Sequence, residues 1–331
     1  MLGHAMGGPH ASFALGAFDV LEPVARGGMA EVWRGEHREQ RVPVAIKVLT
    51  AANARDPDFV AAFRNEVRLV AGLDHPHIVA VFDFGVVPTA ASLASQHRLM
   101  SQSPYLVMEW ASDGTLASRP PTSWDALRGS LISLLDALAH AHARGVLHLD
   151  VKPANVLRCA ASDLRPGLKL ADFGIGRLED AQEEQPVPGR PGAFVGTPAY
   201  AAPEQVLGRR QDMGPWTDLY SLGCLAYRLA TGAAPFRGDA DSVVAAHLLQ
   251  RPPPLRPLFP LPEGFSAWLE TLLEKEPALR FECAADAARS LERLSLVDDR
   301  ASTHTPHAAA AAPSDEAPTA QLMAVLPEAP E

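Results

Sequence analysis

Four polar residues constrain this chain more than any other feature. Asp150, Lys152 and Asn155 lie within six residues of one another, and Asp172 follows seventeen residues after Asn155. A carboxylate can take up the proton of a hydroxyl, an ammonium can neutralise an anionic oxygen, and carboxamide and carboxylate oxygens suit Mg²⁺. A fold that uses these groups must bring a loop and a more distant segment around one site.

The spacing of these residues gives each one a candidate role in phosphoryl transfer. Asp150 would act as a base or orient the attacking hydroxyl, and Lys152 would neutralise charge on the γ-phosphoryl oxygens. Asn155 and Asp172 would hold Mg²⁺. A turn could hold any one of them for structural reasons, but the combination, with Phe173 after Asp172, is much more specific.

Composition limits the classes of partner and compartment. The chain has 331 residues, of which 47% are hydrophobic, and a net charge of −10, which argues against nucleic acid or an anionic membrane surface as the main partner. Three widely spaced cysteines predict reduced thiols rather than a disulfide framework or a metal site. No run of about 18 apolar residues occurs and no clear signal peptide begins the chain, so we expect a cytoplasmic protein without a membrane span.

Apolar periodicity divides the chain into two parts. The first is predicted to contain strands and one helix, and the second, from Ser123 onward, to be mainly helical. Predicted strands lie around 18–32, at 42–49, 78–84 and 105–110, and predicted helices at 59–73, from Ser123 as N-cap to Gly145, at 217–229 and from 265 to 296. A proline-rich connector spans 252–262.

Three segments carry weaker signals. Residues 1–17 are predicted to be a flexible N-terminus, and residues 298–331, rich in Ala, Pro, Ser, Thr and Glu, a disordered tail. The polar stretch 88–103 is longer than a strand connector needs. A flexible surface loop is favoured there over an insertion that docks a partner.

Two features of the first part suggest nucleotide binding. Gly27 and Gly28 would let backbone amides approach a phosphate, although such a turn is often only a turn. Lys47 ends an apolar strand, and Glu66 lies nineteen residues further on in the next predicted helix. A Lys47–Glu66 ion pair would aim the lysine at the α- and β-phosphates. Alternatively, Lys47 extends to water at a sheet edge and Glu66 lies on an exposed helix face.

From about Phe18 to Leu296 the chain resembles the eukaryotic-type (Hanks-type) Ser/Thr protein kinases of bacteria. The resemblance rests on the residues above and on four later motifs, Gly196-Thr197-Pro198-Ala199-Tyr200, Ala202-Pro203-Glu204, Thr217-Asp218-Leu219-Tyr220-Ser221-Leu222-Gly223 and Pro277-Ala278-Leu279-Arg280. It implies an α+β, bilobal fold within residues 18–297. A small β-rich N-lobe (about 18–108) with one main helix would be followed by a hinge (109–113) and a larger helical C-lobe (about 114–297).

The resemblance also implies a site for ATP and Mg²⁺ and protein substrates with Ser or Thr acceptors. Val32, Ala45 and Leu157 would enclose adenine, Met108 would be the gatekeeper, and Glu109 and Ala111 would belong to the hinge.

Ala25 takes the first of three family glycine positions, Gly27 the second and Ala30 the third. Glu204 and Arg280 would pair to brace the large lobe, and Asp218 would support the backbone of the catalytic loop.

One departure from the family pattern concerns regulation. Leu149 stands where the common form has arginine, whose charge a phosphorylated activation loop would compensate. Residues 175–196, which would form that loop, contain no Ser, Thr or Tyr. Both observations suggest a kinase that phosphorylation of this loop does not switch on. Its input would then come from a regulatory protein partner or from the level of expression.

Two other classes of function are open. Ala25, Ala30 and Leu149 would also suit a pseudokinase, a scaffold that binds ATP without efficient transfer. A phosphotransferase of related fold acting on small molecules is a third reading. The segment from Gly196 to Glu204 argues against it, since that segment resembles the part that docks a polypeptide.

Overall fold

The computed structural model describes residues 12–27, 30–50, 57–173 and 198–295. Within the first helix it leaves the side chains of Pro57, Asp58, Ala62 and Glu66 undescribed. Residues 1–11 of the predicted flexible N-terminus, most of the predicted activation loop and the predicted disordered tail therefore lie outside the described residues. Residues 12–17 are described and include a short strand at Phe13–Leu15 with two buried side chains, so the prediction of a flexible N-terminus is wrong for this part.

A six-stranded antiparallel sheet forms the first part of the described chain. The strands are β1 (Phe13–Leu15), β2 (Phe18–Arg26), β3 (Ala30–His37), β4 (Pro43–Leu49), β5 (Val81–Val86) and β6 (Pro104–Glu109). Their order in the sheet is β1-β2-β3-β4-β6-β5. Helix α1 (Pro57–Ala71) contributes Phe59, Phe63 and Val67 to an apolar cluster with Leu106 of β6. The predicted strands and helix of this part are thus present, with bounds shifted by a few residues.

The stretch 88–103 differs from the predicted flexible loop. It contains a short helix, α2 (Thr89–Ala94), and Ala91 and Leu99 are buried against Phe13 of β1 and Trp33 of β3. The guanidinium of Arg98 lies 4.6 Å from the centre of the Trp33 ring. Small residues allow this segment to pack closely, so it extends the core of the sheet.

Helices dominate the second part, as predicted for an α+β chain. They are α3 (Trp124–His142), α4 (Pro203–Val206), α5 (Pro215–Thr231), α6 (Ala240–Leu249), α7 (Phe265–Leu272) and α8 (Ala284–Glu292). A two-stranded antiparallel ribbon, β7 (Val156–Cys159) with β8 (Gly167–Leu170), carries the loops of the candidate site. Short 3₁₀ turns lie at 153–155, 198–200, 210–212 and 277–279.

The structure confirms two of the helices predicted from sequence and divides a third. The hydroxyl of Ser123 accepts a hydrogen bond from Ala126 N at the start of α3, so the predicted N-cap is confirmed. Helix α5 is buried on nearly every face, and it ends at Gly232, which has a left-handed φ of +84°. The predicted helical region 265–296 is divided into α7, a 3₁₀ turn and α8, because Pro277 interrupts it.

The expected Glu204–Arg280 ion pair is confirmed. Arg280 Nη1 donates to Glu204 Oε1 at 2.8 Å, and Nη2 donates to Oε2 at 2.9 Å. The side chains of Arg280 and Glu204 are 0% and 3% exposed, respectively. This bidentate pair joins α4 to the turn that follows α7.

The three cysteines are free thiols. Burial raises the pKa of Cys159 to about 11 and that of Cys224 to about 12, so both stay protonated near neutral pH. No helix among the described residues is long and apolar enough to cross a membrane.

Candidate active site

The loop between α3 and β7 holds Asp150, Lys152 and Asn155 in one constellation. Asn155 Nδ2 donates to the backbone oxygen of Asp150 at 2.9 Å and to its Oδ2 at 2.8 Å. Lys152 Nζ lies 2.7 Å from the same carboxylate oxygen. Pro153 begins the 3₁₀ turn that returns Asn155 toward Asp150. Asp150 Oδ2 is thus contacted by two donors. The Asp150 side chain is 38% exposed, so its other oxygen, Oδ1, can still accept a hydrogen bond from a hydroxyl.

A buried carboxylate holds the backbone of this loop. Asp218 of α5 accepts Leu149 N at 2.7 Å through Oδ1 and His148 N at 2.8 Å through Oδ2. His142 Nε2 lies 2.8 Å from Oδ2 as well. The expected support of the loop backbone by Asp218 is therefore confirmed.

Leu149 itself adopts a strained backbone conformation. Its φ of +63° is left-handed, which costs a side chain with a Cβ roughly 1–2 kcal/mol. Its N–H is held by Asp218, and its carbonyl accepts Gln205 Nε2 of α4 at 2.8 Å. These two hydrogen bonds hold the conformation without an arginine side chain.

His148 links the loop to the strand that precedes Asp172. Its Nδ1 accepts from Asp150 N at 3.2 Å, and its Nε2 lies 2.9 Å from the carbonyl oxygen of Ala171. Burial lowers the pKa of His148 despite the nearby carboxylates. The ring is therefore neutral, with the proton on Nε2.

Asp172 lies opposite Lys47 across the site. Lys47 Nζ lies 2.6 Å from Asp172 Oδ1, and the two side chains are 14% and 33% exposed. Burial opposes ionisation of Asp172, but the neighbouring groups, chiefly the Lys47 ammonium, together outweigh it and hold the pKa of the carboxyl below its ordinary value. The side chain of Glu66 is not described, so the predicted Lys47–Glu66 pair stays a prediction.

The donor set of Asn155 and Asp172 fits a hard cation. Ala171 N donates to the backbone oxygen of Asn155 at 2.9 Å, which fixes the segment before Asp172 beside the loop. Because Asn155 Nδ2 is engaged by Asp150, a cation would meet the carbonyl oxygen Oδ1. In the described part of the chain no group of three or more His, Cys, Asp and Glu could hold a metal. A cation here would therefore complete its shell with phosphate and water oxygens, which is how Mg²⁺ is commonly bound.

The residues predicted to enclose adenine share one apolar cluster. Ala45 and Met108 are buried and face each other across β4 and β6. Val32 and Leu157 pack against them from β3 and β7. Trp110 belongs to the same cluster, although its place in the predicted hinge gave no sign of this contact. A flat aromatic ring would find apolar surface on both faces here.

The glycine turn is only partly described. Gly27 N donates to Ala30 O at 2.8 Å, so this amide closes the hairpin between β2 and β3 and does not point at a ligand. Ala25 pairs with Val32 across that hairpin and is exposed. Gly28 lies outside the described residues, and its predicted contact with phosphate stays a prediction.

The hinge contains a buried ionic cluster that sequence reasoning missed. The Glu109 side chain is 3% exposed, and its two oxygens each lie 3.3 Å from a cation, Lys169 Nζ and Arg165 Nε. Lys169 is fully buried and donates to Pro76 O. Burial raises the pKa of Glu109 in spite of both cations. Glu109 could therefore contact a nucleotide only through its backbone. Ala111, two residues further on, is half-buried.

Comparison with known proteins agrees with this geometry. A model of the protein kinase domain matches residues 18–288. The chain belongs to the protein kinase family. This kinase chain is 38% identical over 271 residues to the serine/threonine-protein kinase PknA of Mycobacterium tuberculosis, with 80% of this chain and 58% of PknA aligned. It is 37% identical over 286 residues to the serine/threonine-protein kinase Pkn1 of Myxococcus xanthus, covering 84% of this chain and 38% of Pkn1.

A solved structure supports the same assignment. The crystal structure of the Mycobacterium tuberculosis PknI kinase domain superposes with a TM-score of 0.58 at 25% identity, over 85% of this chain and 97% of that domain. The predicted α+β kinase fold and the resemblance to bacterial Hanks-type kinases are therefore confirmed. The chain spans between 38% and 58% of the length of Pkn1 and PknA. Family membership implies the use of ATP with a divalent cation and action on proteins.

Proposed function

We propose that this chain is an active, ATP- and Mg²⁺-dependent protein serine/threonine kinase. The observation that carries the proposal is the convergence of Lys47, Asp150, Lys152, Asn155 and Asp172 on one site, with the short contacts given above. The curated relatives are named serine/threonine-protein kinases, which favours Ser and Thr acceptors.

Each side chain has a role in the proposed reaction. Asp150 orients the acceptor hydroxyl and takes up its proton as the oxygen bonds to the γ-phosphorus. The bond from that phosphorus to the β-phosphate oxygen breaks, and ADP leaves. Lys152, held 2.7 Å from Asp150, neutralises charge on the transferred oxygens. Lys47 binds the α- and β-phosphates, with Glu66 as its partner once ATP has entered.

Asn155 and Asp172 would hold the Mg²⁺ ions. Bound Mg²⁺ neutralises phosphate charge and orients the phosphoryl group for in-line transfer. Around adenine, Val32, Ala45 and Leu157 exclude water, and Met108 limits the depth of the pocket. Ala25, Gly27 and Gly28 would cover the phosphates from the hairpin, and the backbones of Glu109 and Ala111 would meet the adenine edge.

Transfer of labelled phosphate from ATP tests this function. The purified chain should label itself or a dephosphorylated protein such as casein with Mg²⁺ present, and labelling should stop when EDTA removes the metal. Phosphoamino acid analysis should find phosphoserine or phosphothreonine. ATP binding without any transfer would instead support the pseudokinase alternative.

We also propose that activity does not depend on phosphorylation of the activation loop. Leu149 removes the charge that a loop phosphate would pair with, and its strained conformation is held by Asp218 and Gln205. The loop itself lies outside the described residues. Regulation would then come from a protein partner or from expression, in a cytoplasmic setting suited to ATP and to the three free thiols.

Phosphatase treatment provides the check on this regulatory proposal. The chain should retain its transfer rate after complete dephosphorylation, verified by mass spectrometry before substrate is added. Thr197→Val and Tyr200→Phe should also retain activity. A rate that falls with dephosphorylation and returns with phosphate on Thr197 or Tyr200 would contradict it.

A further inference from the structure

A cavity of about 290 Å³ lies in the helical part of the chain beside the candidate active site. Pro153, the residue after Lys152 in the catalytic loop, forms part of its wall. The other walls come from the segment before α3, the end of α5 and the proline-rich connector. They are largely apolar and include Leu116, Pro121, Leu229 and Phe259.

Arg228 is the charged residue among those that line this cavity. It is half-buried near the end of α5 and shares a hydrogen bond with the side chain of Tyr200. No carboxylate of the described residues forms an ion pair with it, whereas the buried Arg280 pairs with both carboxylate oxygens of Glu204. Arg228 therefore presents a positive charge to an otherwise apolar cavity.

Two exposed arginines, Arg237 and Arg256, follow α5 along the chain. Burial raises the pKa of Tyr227, the residue before Arg228, and these two arginines oppose that rise. Neither forms an ion pair with another described residue. Leu258 at the rim is 69% exposed.

The geometry points to this cavity as a subsite for an acidic side chain of the protein substrate, close in sequence to the acceptor Ser or Thr, with Arg228 as the specificity-determining residue. The inference rests on the proposed kinase function. A substrate segment placed at Asp150 would continue past Pro153 into the cavity. There a carboxylate can pair with Arg228 while its neighbours contact the apolar wall and Leu258.

Peptide substrates test the inference. A neutral parent peptide with one serine is compared with variants carrying Glu or Lys at each flanking position in turn. For the wild type we expect Glu at one position to raise kcat/KM about tenfold, mainly through KM, since a partly desolvated ion pair supplies about that factor. Arg228→Glu should reverse the preference, so that Lys at that position becomes favourable.

Three further variants separate recognition from damage to the fold. Tyr200→Phe removes the hydrogen bond to Arg228 but keeps the charge, so the preference for Glu should persist. Arg293→Glu makes the same charge change at an exposed residue that does not line the cavity, and it should leave the preference intact. Arg228→Lys should retain part of the preference because it keeps the charge.

The outcomes distinguish this inference from the function on which it rests. Phosphorylation of the parent peptide with no preference for Glu at any position overturns the subsite and leaves the kinase function standing. A preference that Arg228→Glu does not change also overturns it. Absence of transfer to every peptide and protein by the wild type overturns both.

Discussion

Replacing Asp150 with asparagine should lower the rate of phosphate transfer by roughly 10²–10⁴-fold, the usual contribution of general acid–base catalysis. Asparagine has nearly the same shape as aspartate but cannot take up the proton of the acceptor hydroxyl. Its amide oxygen can still accept from Asn155 and Lys152, as Asp150 Oδ2 does at 2.8 and 2.7 Å. The loop should therefore keep its conformation.

The measurement is kcat for peptide phosphorylation, together with the affinity for ATP by calorimetry and the midpoint of thermal unfolding. We expect kcat to fall while ATP affinity and stability change little, because Asp150 is assigned to the hydroxyl and not to the nucleotide. Asp125→Asn, an exposed residue in the first turn of α3, is the matched control. A loss of less than tenfold in the Asp150 variant would remove this residue from its proposed role.

The largest effect on stability is expected from Glu204→Gln. Removal of one partner of a buried ion pair typically costs about 3–5 kcal/mol, because the remaining charge stays buried without compensation. The side chain of Arg280 is fully buried. Its guanidinium donates hydrogen bonds to both carboxylate oxygens of Glu204 and to the backbone oxygens of Trp216, Glu274 and Lys275. Glu204 Oε1 also accepts from Thr217 Oγ1 at 2.8 Å.

Urea unfolding should show this loss as a lower free energy of unfolding. The control is Glu22→Gln, which breaks the pair of Glu22 with Arg34, whose side chains are 55% and 46% exposed. Such a surface pair contributes about 1 kcal/mol or less. The double variant with Arg280→Met should recover part of the loss, since it no longer buries an unpaired charge. Equal losses of unfolding free energy in Glu204→Gln and Glu22→Gln would show that the buried Glu204–Arg280 pair does not stabilise the fold as expected.

Local sequence signals predicted the elements that carry strong periodicity or capping. Ser123 was placed as an N-cap because its side chain suits the helix start, and the buried helix α5 was visible from its nearly continuous apolar residues. The loop around Asp150 was identifiable because three polar residues at fixed spacing are rarely coincidental. These signals lie within short segments, which is why a single sequence reveals them.

Contacts between distant segments could not be predicted in the same way. Lys47 lies beside Asp172, which is 125 residues away, and the side chain of His142 meets Asp218 across 76 residues. The stretch 88–103 carries no clear helix signal, because its six-residue helix is too short for periodicity and buries mainly small residues. In each case the fold brings together partners that no local pattern connects.

The buried cluster at the hinge has a consequence for the response to ionic strength. Counter-ions screen exposed charges strongly but reach buried pairs poorly. Glu109 and Lys169 are almost fully enclosed, so added salt should not loosen the tie between the hinge and β8. The exposed arginines near Arg228 have no such protection. Salt would thus weaken the long-range attraction of acidic polypeptides while the nucleotide site keeps its shape.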